Sequence, residues 1–156
     1  MRDELAAAFA EADPTVACEV SGLAPSRPEL RPADVLTWAA HPSKAVAVDV
    51  MVKAPNATGA GHDCTEADKR EKLDHYGDIL GELERQGIVY APAVFSAYGR
   101  RHPDVTKMLL EAARRAARHR GCATPNALMR RWCARLGVAV WRRAANMVHP
   151  SQAHPF

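Results

Sequence analysis

Asp34, in RPADVLTW, and Asp49, in KAVAVDVMVK, each sit in the middle of a hydrophobic run, with fourteen residues between them. A carboxylate inside a buried strand is costly unless a cation, a metal or hydrogen bonds compensate it. Two of them on neighbouring strands make a site for a hard divalent cation such as Mg²⁺ or Mn²⁺. Lys72, one turn before Tyr76 in KREKLDHYGDIL, is placed to reach such a pair. A lysine there would orient the attacking water and stabilise negative charge developing at phosphorus. The chemistry expected of Asp34, Asp49 and Lys72 is metal-assisted hydrolysis of a phosphodiester, with the two aspartates as metal ligands.

The elements that must position these groups follow from the periodicity. In residues 44–53, Val46, Val48, Val50 and Val52 point to one side, and Ala45, Ala47, Asp49, Met51 and Lys53 to the other. The valine face is core. The opposite face is small, with a carboxylate at its centre and a lysine at its end, and it leaves room for a helix or a ligand. Four flanking valines argue against Asp49 as a solvated strand-end residue. Pro32, just before Asp34, keeps a turn or cap role open for that aspartate. Over 65–86, Lys69, Lys72, Leu73, Tyr76, Ile79, Leu80 and Leu83 form one helical stripe. Lys72 thus lies on the apolar face, where it either snorkels to water or meets the carboxylates.

The remaining elements are a helix over 2–12, strands over 15–20, 33–38 and 88–97, and two basic helices over 103–119 and 125–147. Pro103 and Pro125 fall in the first turns of those two helices. Thr65 and Asp68 make a box-like start to the 65–86 helix. Pro92 suggests an edge or a bulge in its strand. The order is that of a mixed α/β sandwich: a core over 1–100, a helical extension over 101–148 packed on or beside it, and a flexible tail over 149–156. The chain opens inside a helix with no cap before it, as a piece of a longer protein would.

At 156 residues and 47% apolar, the chain can bury one sizeable core. No apolar run approaches the length of a membrane span, and no leader-like segment follows Met1, so an unexported, intracellular protein is expected. Cys18, Cys64, Cys122 and Cys133 show no paired spacing, which points to reduced thiols rather than a zinc knuckle or a disulfide frame. His62 beside Cys64 lacks a second ligand pair. The net charge is only +3, but residues 1–99 hold 9 Lys+Arg and 16 Asp+Glu, whereas residues 100–156 hold 12 and 2. Eleven of those twelve are arginines. A DNA-binding surface is one reading, with Arg114, Arg115, Arg118, Arg120, Arg130 and Arg131 as its contacts. Solvated helix faces are the other.

With these residues placed, the chain resembles the PD-(D/E)xK nuclease superfamily, and most of all the restriction-like endonuclease domain of site-specific non-LTR retrotransposons. The likeness is carried by RPADVL, DVMV and KLDHYGDIL, in order and on the expected elements, with RDELAAAF and TVACEV similar to the family's leading helix and first strand. It spans residues 2–98. Ala33 is inserted between Pro32 and Asp34, and Met51 stands where the superfamily has a strand lysine. Lys72 matches the helix position that the retrotransposon branch uses instead, and His75 matches a second basic residue. The resemblance implies a restriction-endonuclease-like α-β-β-β-α-β core and a magnesium-dependent endonuclease, a hydrolase that nicks DNA. It further implies auxiliary roles for Glu4 or Glu19, with Lys53 as reserve lysine and Tyr76 beside the site. The reverse-transcriptase portion is expected to be lost or encoded elsewhere, and a nuclear location is expected if chromosomal DNA is the target. The competing expectation is a nucleic-acid-binding remnant without catalysis.

Overall fold

The computed structural model describes residues 1–53, 64–121 and 123–148. The His62 position, Cys122 and the tail over 149–156 lie outside the described residues. The order is α1 (Arg2–Ala10), β1 (Ala17–Val20), β2 (Ala33–Thr37), β3 (Ala45–Lys53), α2 (Cys64–His75), α3 (Gly77–Arg85), β4 (Ile88–Ser96), α4 (Pro103–Arg120) and α5 (Pro125–Val148). The strands form one mixed sheet in the order β1-β2-β3-β4. β1 and β3 run antiparallel to β2, and β4 runs parallel to β3. A parallel neighbour requires a crossover, which α2 and α3 supply. β4 is an edge strand, so Pro92 costs the sheet no ladder bond on its outer side.

The parity of β3 divides the molecule into layers. Val46 and Val48 pack with Val35, Ala93 and Phe95 against Leu5 and Phe9 of α1, Val105 and Leu109 of α4, and the α5 ridge Leu128, Trp132, Leu136 and Val140. Those four recur every fourth residue, the spacing that keeps side chains on one helix face. The C-terminal helices therefore close the main core. On the other side Ala47 packs with Ile79 and Leu83 of α3 and with the rings of Tyr76 and Tyr90. Small residues on that face of β3 make room for the two tyrosines.

The helix expected over 65–86 is broken in two. Tyr76 leaves helical geometry at φ −102° and ψ 10°, and α3 starts at Gly77. Glycine in a helix interior costs about 1 kcal/mol relative to alanine. The break also lets the Tyr76 ring turn onto Tyr90, with ring centroids 5.0 Å apart. Asp68 Oδ1 accepts from Lys53 Nζ, and α2 begins at Cys64, one residue before Thr65. α4 is bounded as its sequence indicates: His102 accepts from Asp104 N–H, Pro103 opens the first turn, and Gly121 closes it at φ 65°. β1 is an exposed edge strand, with Cys18 in solvent. No helix among the described residues is long and apolar enough to cross a membrane.

Candidate functional site

The β2–β3 register pairs Val35 with Val48 and Leu36 with Ala47. One step further along it sets Asp34 opposite Asp49. At that step the ladder changes character, because Asp34 Oδ2 accepts the Val50 backbone N–H at 2.7 Å. A side-chain oxygen stands in for a strand carbonyl there. β2 starts at Ala33, so Met51, Val52 and Lys53 of β3 run on without a β2 partner. This leaves a notch beside the free half of β3, with Asp34 at its floor.

Asp49 is 6% exposed and is compensated from two elements. Lys72 Nζ of α2 lies 2.9 Å from Asp49 Oδ2, and the Tyr90 hydroxyl of β4 donates to the same oxygen at 2.8 Å. Tyr90 pairs with Ala47, which puts it one step along the same sheet face from Asp49. Among the described residues, Asp34 Oδ1 and Asp49 Oδ1 accept no hydrogen bond.

The charges are coupled. Burial pushes the Asp34 carboxyl above its ordinary range and the Asp49 charge pushes the same way, while the Val50 N–H and the charges of Lys72 and Arg2 oppose them. Burial works against the Lys72 ammonium, but the bond to Asp49 and the charges of Asp49 and Asp34 outweigh it, so its pKa rises. Burial, then the Asp49 charge, raises both Tyr76 and Tyr90, which stay protonated phenols. Tyr90 therefore remains a donor to Asp49.

Three of the four auxiliary residues are engaged elsewhere. Glu4 pairs with Arg135 of α5 at 2.7 Å, and Glu19 pairs with Arg2. Glu19 has φ 54°, an unfavourable backbone for a residue with a Cβ. Lys53 Nζ is held by Asp68 and Glu71. Tyr76 packs against Tyr90 beside the pair, its hydroxyl directed to the Arg31 carbonyl. Tyr90 was not singled out from the sequence. The signal was the parity of IVYAPAVFS, usable only once β4 is known to lie parallel beside β3.

Many of the C-terminal arginines have structural partners. Arg115 donates to the carbonyls of Trp38, His41 and Pro42, clamping α4 to the β2–β3 turn. Arg131 pairs with Glu11, and Arg114 lies 3.9 Å from Glu111. Arg118 and Arg130 are exposed, with no partner among the described residues. Arg120 ends α4, and its side chain lies outside the described part.

Two carboxylates suit Mg²⁺, which is commonly held through one or two carboxylates and keeps several waters. No group of three or more metal-binding side chains occurs among the described residues. The donor set present is thus the Asp34–Asp49 pair, with one oxygen of each left over. No family model, curated protein or solved structure matches the chain.

Proposed function

We propose that this protein is a metal-dependent DNA endonuclease that hydrolyses a phosphodiester to leave a nick. The observation that carries the reading is the contact of Lys72 Nζ with Asp49 Oδ2 at 2.9 Å, next to an electrostatically coupled Asp34 on the adjoining strand. That is the carboxylate, carboxylate and helix-lysine set expected from the restriction-like endonucleases of non-LTR retrotransposons. The element order, with antiparallel β2–β3 and parallel β3–β4, is compatible with that fold.

Asp34 and Asp49 would hold Mg²⁺ or Mn²⁺, which when bound supplies Lewis acidity toward a phosphoryl oxygen and its water. Tyr90 fixes the Asp49 carboxylate by its hydrogen bond. Lys72, already beside that carboxylate, orients water and stabilises charge building on the phosphate. Action on chromosomal DNA would place the protein in the nucleus.

The test is relaxation of supercoiled plasmid with Mg²⁺ or Mn²⁺, against EDTA and Asp49→Ala controls. Cleavage that survives both controls would sink the reading. A second reading, a DNA-binding remnant, draws on the same ion pair: Lys72 and Tyr90 already neutralise Asp49 without a cation. Salt-dependent retention of DNA with no cutting would favour it.

A further inference from the structure

The notch beside β3 opens into a cavity of about 550 Å³ whose walls include Asp34, Val50, Val52, Arg2 and Arg143. Arg143 comes from the far end of α5. The buried ridge of that helix runs Leu128, Trp132, Leu136, Val140, and Arg143 is the next residue at helical spacing. The ridge thus gives way to an exposed arginine at the cavity, where the sheet runs out. Elsewhere on α5, Arg131 and Arg135 are held by Glu11 and Glu4. Arg143 has no hydrogen bond or ion pair among the described residues. The other guanidinium at the cavity, Arg2, is taken by Asp3 and Glu19.

We propose that Arg143 grips a phosphate of the bound DNA strand in this cavity and sets it against Asp34. The inference rests on the endonuclease reading and adds to it a substrate contact from α5, outside the region that carries the family likeness. Several features of the cavity fit a strand phosphate. It borders a carboxylate assigned to the metal, it is open to solvent, and the Arg143 guanidinium in its wall has no partner among the described residues. A guanidinium fork matches two phosphate oxygens at once. A simple counter-ion for Asp34 would be expected to sit on it, and no such contact exists.

The experiment joins two readouts on the full chain. Inorganic phosphate is titrated into wild-type protein without metal while the arginine side-chain Nε–H resonances are followed by NMR. The Arg143 signal should shift saturably and that of exposed Arg130 should not. In parallel, Mn²⁺-dependent plasmid nicking is compared in wild type, Arg143→Lys and Arg143→Gln, with Mn²⁺ affinity measured by calorimetry. Arg143→Gln should keep its fold and Mn²⁺ affinity and lose roughly 100-fold in nicking kcat/KM, with Arg143→Lys in between. If wild type nicks and Arg143→Gln matches it, this inference falls and the endonuclease stands. If wild type does not nick but phosphate shifts Arg143, the endonuclease falls and the phosphate site stands. An unshifted Arg143 resonance, or a loss of Mn²⁺ affinity in Arg143→Gln, overturns the assignment.

Discussion

Lys72 Nζ and Asp49 Oδ2 are 2.9 Å apart, although one residue belongs to the crossover helix and the other to the centre of β3. α2 packs over β4, the strand next to β3, and the lysine stem spans from there to Asp49. Removing one partner strands the other. Lys72→Met keeps the stem and deletes the charge, so it should destabilise the fold at neutral pH by about 1–3 kcal/mol. The Asp49→Asn/Lys72→Met double variant should recover most of that loss, which urea denaturation of the four proteins would measure. Additive losses would mean that the ion pair contributes nothing.

The same pair gives stability an alkaline dependence. The pKa of Lys72 is raised in the folded protein, so its contribution is fully present below the ordinary lysine value of 10.5 and is lost as pH rises through the folded value. Wild type should lose stability along that arm, and Lys72→Met should lose less. Parallel pH profiles for the two proteins would contradict the assignment.

Asp34 depends on pH in the same direction, but here it is the charged form that the fold disfavours. Its carboxyl is raised, so the folded state favours the protonated form, and stability from this group is lost as pH rises through the folded value. At neutral pH an ionised Asp34 beside Asp49 is a liability of the apo protein. Asp34→Asn should raise the midpoint of thermal unfolding without metal and abolish the calorimetric signal of Mn²⁺. A lowered midpoint with unchanged Mn²⁺ binding would remove Asp34 from the metal site.

How far the sequence revealed this site depended on the range of the interaction involved. The valine alternation of β3 and the short link from β2 were enough to place Asp34 and Asp49 on neighbouring antiparallel strands. The stripe through Lys72 and Tyr76 was enough to aim the lysine at the sheet. The break at Tyr76 was hidden, because hydrophobic phase runs through it and only the ring packing against Tyr90 reveals why the helix stops. Tyr90 and Arg143 were hidden too. One required the parallel placement of β4 and the other the end point of α5, both set by long-range packing. Asp68 looked like a cap because its partner, Lys53, lies fifteen residues earlier on a strand.

The arginines of α4 and α5 should separate by what they touch. Arg115 donates to three backbone carbonyls, and these would lose a charged donor on truncation. Hydrogen bonds from charged groups contribute about 1.5–3 kcal/mol each at most, and a shared guanidinium gives less than their sum. Arg115→Ala should therefore cost about 1.5–3 kcal/mol in urea denaturation, chiefly by releasing the β2–β3 turn from α4. It should leave the salt dependence of DNA binding unchanged, since the guanidinium is already engaged. Arg118 and Arg130 are exposed and unpartnered among the described residues, so their replacement by alanine should barely change stability. If they meet DNA, each should flatten the log–log salt slope by about one unit, equally for all sequences, because phosphate contacts do not read bases. Binding isotherms at several salt concentrations for Arg115→Ala, Arg118→Ala and Arg130→Ala would decide the matter. A slope that changes with Arg115 but not with Arg118 or Arg130 would reverse the assignment and place the DNA on the turn that α4 clamps.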